Sequence, residues 1–359
     1  MKLKTKLVKL ASDTVLKFKD RSCVKYFVNE RQVYTTQKLN KEQKRQVKEY
    51  YKPYSKTNLL FHAFYTEKTN KFEASYIPDD LWFTDIDRHF NNRQKAKVID
   101  HKSYYERIFA GKNVKHPETI LHRINGFWYN SKMEMLSEDE AEKLVKFEQA
   151  LFIKVSQGSC GGRGVKFVSQ TNGKDIVEDF KKFIRNKKDV VVQRVIKQHP
   201  ELSRVGESSL NTLRILSLLN EKEVKIYSSI LRMGIGNSKV DNASSGGIIC
   251  GIEEDGRLKD PAYTMYGEKF NCHPTTNVKF SDVVIPSFDK ALNLVKDLHP
   301  MIPDFRLVSW DIAINSSGEP ILLEVNLCMG GLDFHQLTNG PVFKEDTEKI
   351  LTEVFGKNK

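Results

Sequence analysis

The sequence predicts an α+β protein: a helical, aromatic-rich N-terminal region, then antiparallel hairpins with covering helices. Three features predict it. From residue 151 onward the apolar residues fall into short runs bounded by turn residues, at 151–155, 165–168, 190–196, 213–219, 224–233 and 247–252, as strands of a sheet do. Segments 175–185 and 288–298, with apolar residues three or four apart, interrupt those runs as helices. Two last runs, 307–314 and 321–325, flank the turn Ser316-Ser317-Gly318-Glu319 as the arms of a hairpin.

Along the chain, a charged helix is expected at 41–51, followed by Phe61, Phe64, Tyr65, Tyr76, Trp82 and Phe83. Their irregular spacing indicates packing rather than stacking on bases. After Asp100 a helix at 103–109 precedes a short extended stretch, 116–120. Ser137 and Glu140 stand at capping-box spacing before a helix running to about residue 149. A terminal helix covers 344–355. The expected units are a helical region, 1–95; a subdomain with a glycine-rich loop, 96–195; and a subdomain with the last hairpin, 196–359.

Composition narrows the class. At 359 residues, 39% hydrophobic and 29% charged, the chain is globular rather than disordered or fibrous. Cys23, Cys160, Cys250, Cys272 and Cys328 form no CxxC pair, so neither a disulfide framework nor a zinc site is indicated. No window approaches the roughly 18 apolar residues of a membrane span, and no signal peptide is evident, so a cytoplasmic location is expected. The net charge of +12 suits nucleic acid, anionic lipid or phosphorylated substrates without choosing among them. Lys2, Lys4, Lys6, Lys9, Lys17 and Lys19 interleave with Leu3, Leu7, Leu10 and Leu16. Such a helix either lies on the inner membrane face or docks on the body, and its narrow apolar stripe favours docking.

Between two strands lies FIKVSQGSCGGRGVKFV, residues 152–168, where Gly158, Ser159, Gly161, Gly162 and Gly164 crowd a turn beside Lys154, Arg163 and Lys166. Glycines let backbone N–H groups approach anionic oxygens, and a flanking lysine adds a point charge, so the segment suits phosphate. It is neither a Walker A sequence nor a dinucleotide fingerprint. The alternative is a flexible hairpin turn.

RLVSWDIAINSSGEPILLEVN, residues 306–326, embeds Asp311 and Glu324 in otherwise apolar strands, and buried carboxylates need partners. If Asn315 and Pro320 flank a four-residue turn, Asp311 lies opposite Glu324, and Asn326 shares their face. Two carboxylates and an amide oxygen suit Mg²⁺, which takes few protein ligands plus phosphates. The alternative is that one or both acids face solvent.

Lys154 with its glycine loop, VVVQRVI at 190–196, NTLRIL at 211–216, WDI at 310–312 and LEVN at 323–326 follow one another in the order seen in the ATP-grasp superfamily. From about Lys41 the chain resembles the sugar-transfer-associated ATP-grasp proteins of polysaccharide and teichuronopeptide synthesis. The resemblance implies an ATP-grasp fold with ATP between two α+β subdomains, Lys102 and Lys154 reaching its phosphates and the glycine loop closing over them. It implies a hinge of Gln193, Arg194, Val195 and Ile196 at the adenine, with His199 or Glu201 approaching the ribose. Gln193 stands where many relatives carry Glu, so the base and ribose contacts stay open. Arg214 and Arg232 resemble arginines that hold the transferred phosphoryl group or acyl phosphate, with Asn242 and Gly246-Gly247 beside the active site. The tail GGLDFHQLTNGPVF, 330–343, would shape the acceptor pocket, with His335 either a base or structural.

The resemblance implies an ATP- and Mg²⁺-dependent ligase that joins a carboxylate to an amine through an acyl phosphate in cell-surface polysaccharide assembly. Its partners would be an amino acid and a sugar acid or amino sugar, on a nucleotide or lipid carrier; no nucleic acid is expected, and a homodimer is compatible with the sequence. The rival readings are a kinase on the same scaffold and a basic anion-binding module without catalysis.

Overall fold

The structure, a computed structural model, describes residues 22, 24–26, 28–158, 164–170, 175–328 and 330–356. The basic segment 1–20 and loop residues Ser159, Gly161 and Gly162 lie outside the described residues.

Two antiparallel sheets carry the architecture. The smaller contains β1 (Thr119–Ile124), β2 (Phe127–Asn130), β3 (Met135–Leu136), β4 (Ala150–Val155), β5 (Val165–Ser169) and β6 (Val190–Arg194), in the order β3-β2-β1-β6-β4-β5. Helices α4 (Glu138–Lys146) and α5 (Ile176–Ile184) cover it, around a core that includes Trp128, Phe180 and Ile153; α1 to α3, described below, precede them. Ser137 and Glu140 form the expected capping box, and Asp175 caps α5. The short arm β2–β3, Phe-Trp-Tyr-Asn and Met-Leu, is not among the strands expected from the sequence.

The larger sheet runs β11-β10-β9-β8-β7-β12-β13, with β7 (Thr212–Leu219), β8 (Val224–Met233), β9 (Ile248–Gly251), β10 (Ala262–Tyr263), β11 (Lys269–Phe270), β12 (Leu307–Ile314) and β13 (Pro320–Asn326). Alternation along the strands sorts its two faces. Leu213, Ile215, Leu231, Met233, Val308, Trp310, Ile312 and Leu322 enter one core, beneath the helix Phe288–Leu298. Leu216, Leu218 and Leu307 meet a second core built by α1 (Lys41–Tyr51), the helical turns from Asp79 to Phe90, and the C-terminal helix Thr347–Phe355. α2 (Leu59–Thr69) adds Phe61 and Phe64 against Ile230 and Ile249, and α3 (Arg93–Ile99) leads to the lobe junction. The aromatics of the N-terminal region are packing residues.

β12 is buried along its whole length, and Asp311 pairs with Glu324 in the β12–β13 register. The turn departs from expectation. Ile314, not Asn315, pairs with Pro320, because Asn315 is drawn into the turn, where its Oδ1 accepts from the backbone N–H groups of Ser317 and Glu319. A bulge between Asp311 and Ile312 leaves Leu323 without a register partner, which restores the Asp311–Glu324 alignment.

Candidate active site between the two sheets

The polar residues that alternation excludes from the larger sheet's main core gather at one place. Arg214 on β7, Arg232 on β8, Asp311 on β12, and Glu324 and Asn326 on β13 line a cleft of about 1500 Å³. Lys154, Phe152, Val165 and Phe167 of the smaller sheet line its other side, with Lys102 at the junction.

The carboxylates are gripped by cations. Arg214 donates to both oxygens of Asp311 at 2.8 Å, and Arg232 reaches Asp311 at 3.3 Å while donating to Asp241 at 3.0 to 3.1 Å. Burial alone would raise the Asp311 pKa, but Arg214 and Arg232 outweigh it and hold the carboxyl at about 2. Burial likewise works against the Arg232 charge, and Asp241 and Asp311 reverse that effect, so its pKa is raised. Lys102 Nζ lies 2.7 Å from Glu324, and its backbone N–H donates to Ser156 across the lobe junction. Lys154 forms no ion pair among the described residues. Burial, helped by repulsion from Lys102, lowers its pKa to about 8.

Gly158 and Gly164 bracket the loop with φ of +69° and +120°, conformations that favour glycine, and Gly158 would face open space with a Cβ. Gln193 lines the cleft and donates to Thr119; Arg194, Val195 and Ile196 also line it, Arg194 pairing with Glu148 and Glu118. The cleft does not include His199 or Glu201. His199 is the N-cap of the helix Pro200–Val205, its Nδ1 accepting from the Glu201 N–H, because Pro200 starts a helix whose N–H groups need an acceptor; Glu201 pairs with Arg204 one turn on. His335 is fully buried and bonded to Ser228; burial lowers its pKa to about 3, so it is a neutral packing residue and not a base facing the cleft.

Asn242 lines the cleft beside Asp241. A Cβ at Gly247 would meet the carbonyl oxygen of Asp241 at 2.5 Å, so this glycine lets the Asp241 loop lie against β9. Sequence reasoning missed Asp241, an acid in a turn-rich loop with no pattern around it. It also missed Asp333, which is paired with a residue 302 positions away.

The fold is that of an ATP-grasp protein. The chain belongs to the family described as sugar-transfer associated ATP-grasp, which matches residues 83–352. Similar solved structures include D-alanine–D-alanine ligase from Bacillus anthracis, 14% identical over 74% of this chain and 68% of that one, with a TM-score of 0.41. N5-carboxyaminoimidazole synthetase from Staphylococcus aureus, complexed with ADP, is 11% identical over 70% of this chain and 54% of that one, TM-score 0.40. The ATP-grasp ligase PsnB, complexed with precursor peptide PsnA2 and AMPPNP, is 9% identical over 74% and 62%, TM-score 0.42. No curated protein matches the chain significantly.

The donor set suits a magnesium nucleotide. Among the described residues no group of three or more His, Cys, Asp or Glu side chains could hold a metal ion by itself. Asp311, Glu324 and Asn326 instead offer oxygens on one wall, which suits a cation that takes part of its shell from phosphates. Eight lysine and arginine side chains line the cleft against the five carboxylates Glu207, Asp241, Asp311, Glu324 and Asp333, leaving it positive for an anionic ligand.

Proposed function

We propose that the protein is an ATP- and Mg²⁺-dependent carboxylate–amine ligase. The observation that carries this reading is the pairing of Arg214, Arg232 and Lys102 with Asp311 and Glu324 in one cleft, opposite Lys154. In this reading those carboxylates are neutralised beforehand by the side chains that a triphosphate would attract. Phosphate oxygens offer Arg214, Arg232 and Lys102 an alternative set of anions, and their partial transfer leaves Asp311, Glu324 and the Asn326 amide oxygen for Mg²⁺. The ion, when bound, neutralises phosphate charge and polarises the bond to be broken.

The γ-phosphoryl group passes to a carboxylate oxygen: the bond to the ADP oxygen breaks, and a carboxyl oxygen–phosphorus bond forms. An amine then attacks the acyl carbon, forming the amide, expelling phosphate and losing a proton. The chain's own part is positioning and charge. Lys154 from the smaller sheet and Arg214 and Arg232 from the larger hold the transferring group between them. Gln193, Arg194, Val195 and Ile196 hold the base.

The family description, sugar-transfer associated, supports a sugar-linked substrate, and in our reading the substrates are an amino acid and a sugar acid or amino sugar of cell-surface polysaccharide. The test is a screen of amino acids paired with uronic acids, amino sugars and their nucleotide derivatives for ATP- and Mg²⁺-dependent phosphate release. The expected products are ADP, phosphate and an amide. A phosphorylated sugar in place of the amide would make the protein a kinase, and nucleotide that does not bind at all would leave an anion-binding module.

A further inference from the structure

The acceptor end of the cleft holds a carboxylate that the phosphate chemistry does not use. Asp333 begins helix Asp333–Asn339, is 5% exposed, and lines the cleft near Met265 and Phe334. Its Oδ2 accepts from Arg31 at 2.7 Å, whereas no donor among the described residues bonds Oδ1. Arg31 is itself buried: it donates to the Met265 carbonyl at 3.1 Å, lies 4.2 Å over the Phe64 ring, and stands 3.5 Å from Asp79. Two buried carboxylates, Asp79 and Asp333, therefore share one guanidinium. The Tyr65 hydroxyl donates to Asp79 at 2.5 Å and satisfies an oxygen without adding charge. Burial raises the Asp79 carboxyl to about 7, so once pH passes that value both acids are ionised and the cluster lacks one positive charge, a costly state unless a cation completes it. Asp241, Asp311 and Glu324 are each already paired with a protein cation.

We propose that Asp333, positioned by Arg31, receives the ammonium group of the amine substrate and accepts the proton that this nitrogen gives up before the free amine attacks. The assignment rests on the ligase reading above and adds what selects the nucleophile. A carboxylate oxygen only accepts, so the ligand must present N–H or O–H; an ammonium also supplies the missing charge, which a neutral hydroxyl does not. Gly331 keeps the approach open, since a methyl there would lie 3.3 Å from Asp333 Oδ1. Arg31 lies in a segment ahead of residue 83, where the family match begins, so the selecting ion pair joins that segment to the matched region.

The test uses the full chain with Mg²⁺ and AMP-PNP, titrated with ethanolamine and D-glucosamine against their neutral counterparts ethylene glycol and D-glucose, binding being read by saturation-transfer NMR. The wild type should favour the amines about tenfold, as expected for one charge-assisted contact. Asp333→Asn should abolish that preference, and AMP-PNP affinity reports whether the cleft is intact. Gly331→Ala leaves the Arg31 pair in place and covers Oδ1 with a methyl, so it should lose the preference even if Asp333→Asn does not fold. Equal binding of amine and neutral probes by the wild type, or a preference that survives in both variants, overturns the proposal. Absence of Mg²⁺–AMP-PNP binding would instead sink the ligase reading itself.

Discussion

Arg214 and Asp311 face each other across paired strands and join at two points, Nε to Oδ1 and a terminal nitrogen to Oδ2, each at 2.8 Å. Arg232 adds a third contact to the same carboxylate. Asp311 is thus a structural keystone as well as a candidate metal ligand, and its replacement has two consequences. Asp311→Asn should abolish Mg²⁺-dependent ADP formation. It should also destabilise the protein by about 3 kcal/mol, since Arg214 loses its counter-charge and Arg232 is left with Asp241 alone. Denaturant unfolding checks the second effect; an unchanged midpoint would show that the arginines find other partners.

Glu324 contrasts with it. Its side chain is 27% exposed and pairs with Lys102 alone. Glu324→Gln should therefore cost less stability than Asp311→Asn, about 1–2 kcal/mol because Lys102, 6% exposed, loses its partner, while removing turnover. Wild-type ADP production by this variant would remove Glu324 from the metal set.

Lys154 gives the cleft a pH dependence. With its pKa lowered to about 8 by burial and Lys102, the free protein carries a neutral amine above that pH, while bound phosphates favour the charged form. Nucleotide affinity should be constant below pH 8 and then fall by up to about tenfold per unit. Calorimetry from pH 7 to 9.5 measures this, and Lys154→Arg, which stays charged, should flatten the profile.

Acid should unfold the protein through its buried histidines. Burial lowers the pKa of His62, His116, His122 and His299 to about 4 and that of His335 to about 3. An ordinary histidine titrates near 6.5, so between about 6.5 and 4 the unfolded chain binds more protons, and stability falls as pH falls. Each group contributes at most about 1.4 kcal/mol per unit in that window. The Asp311 pair has a folded pKa below its unfolded value, so its stabilisation is present above about 4 and fades only towards pH 2. Urea midpoints at pH 7.5 and 5 should differ markedly; equal values would show that these histidines titrate normally.

Much of the fold is written locally. Short apolar runs bounded by turn residues place the long strands, the Ser137–Glu140 spacing starts a helix, and the order from Lys154 to Asn326 carries the family. The Asp311–Glu324 pairing follows from strand alternation, although the turn count that suggested it was one residue short and a bulge made up the difference. These features depend on neighbours in sequence, where periodicity and capping act. His199 shows the limit: its place after the hinge suggested ribose, yet the adjacent Pro200 made it a helix cap.

By itself, then, the sequence determined the family and the strands and picked out the candidate residues for phosphate and metal chemistry, because each is encoded in a short run whose pattern survives any packing. Tertiary structure alone decided that Arg214 and Arg232 hold Asp311, that Asp241 joins them, and that Arg31 reaches Asp333. Charge pairing between distant residues leaves no spacing rule in the chain: it is chosen when separate elements bury their charges together, and the cost of leaving a buried charge unpaired selects the partner.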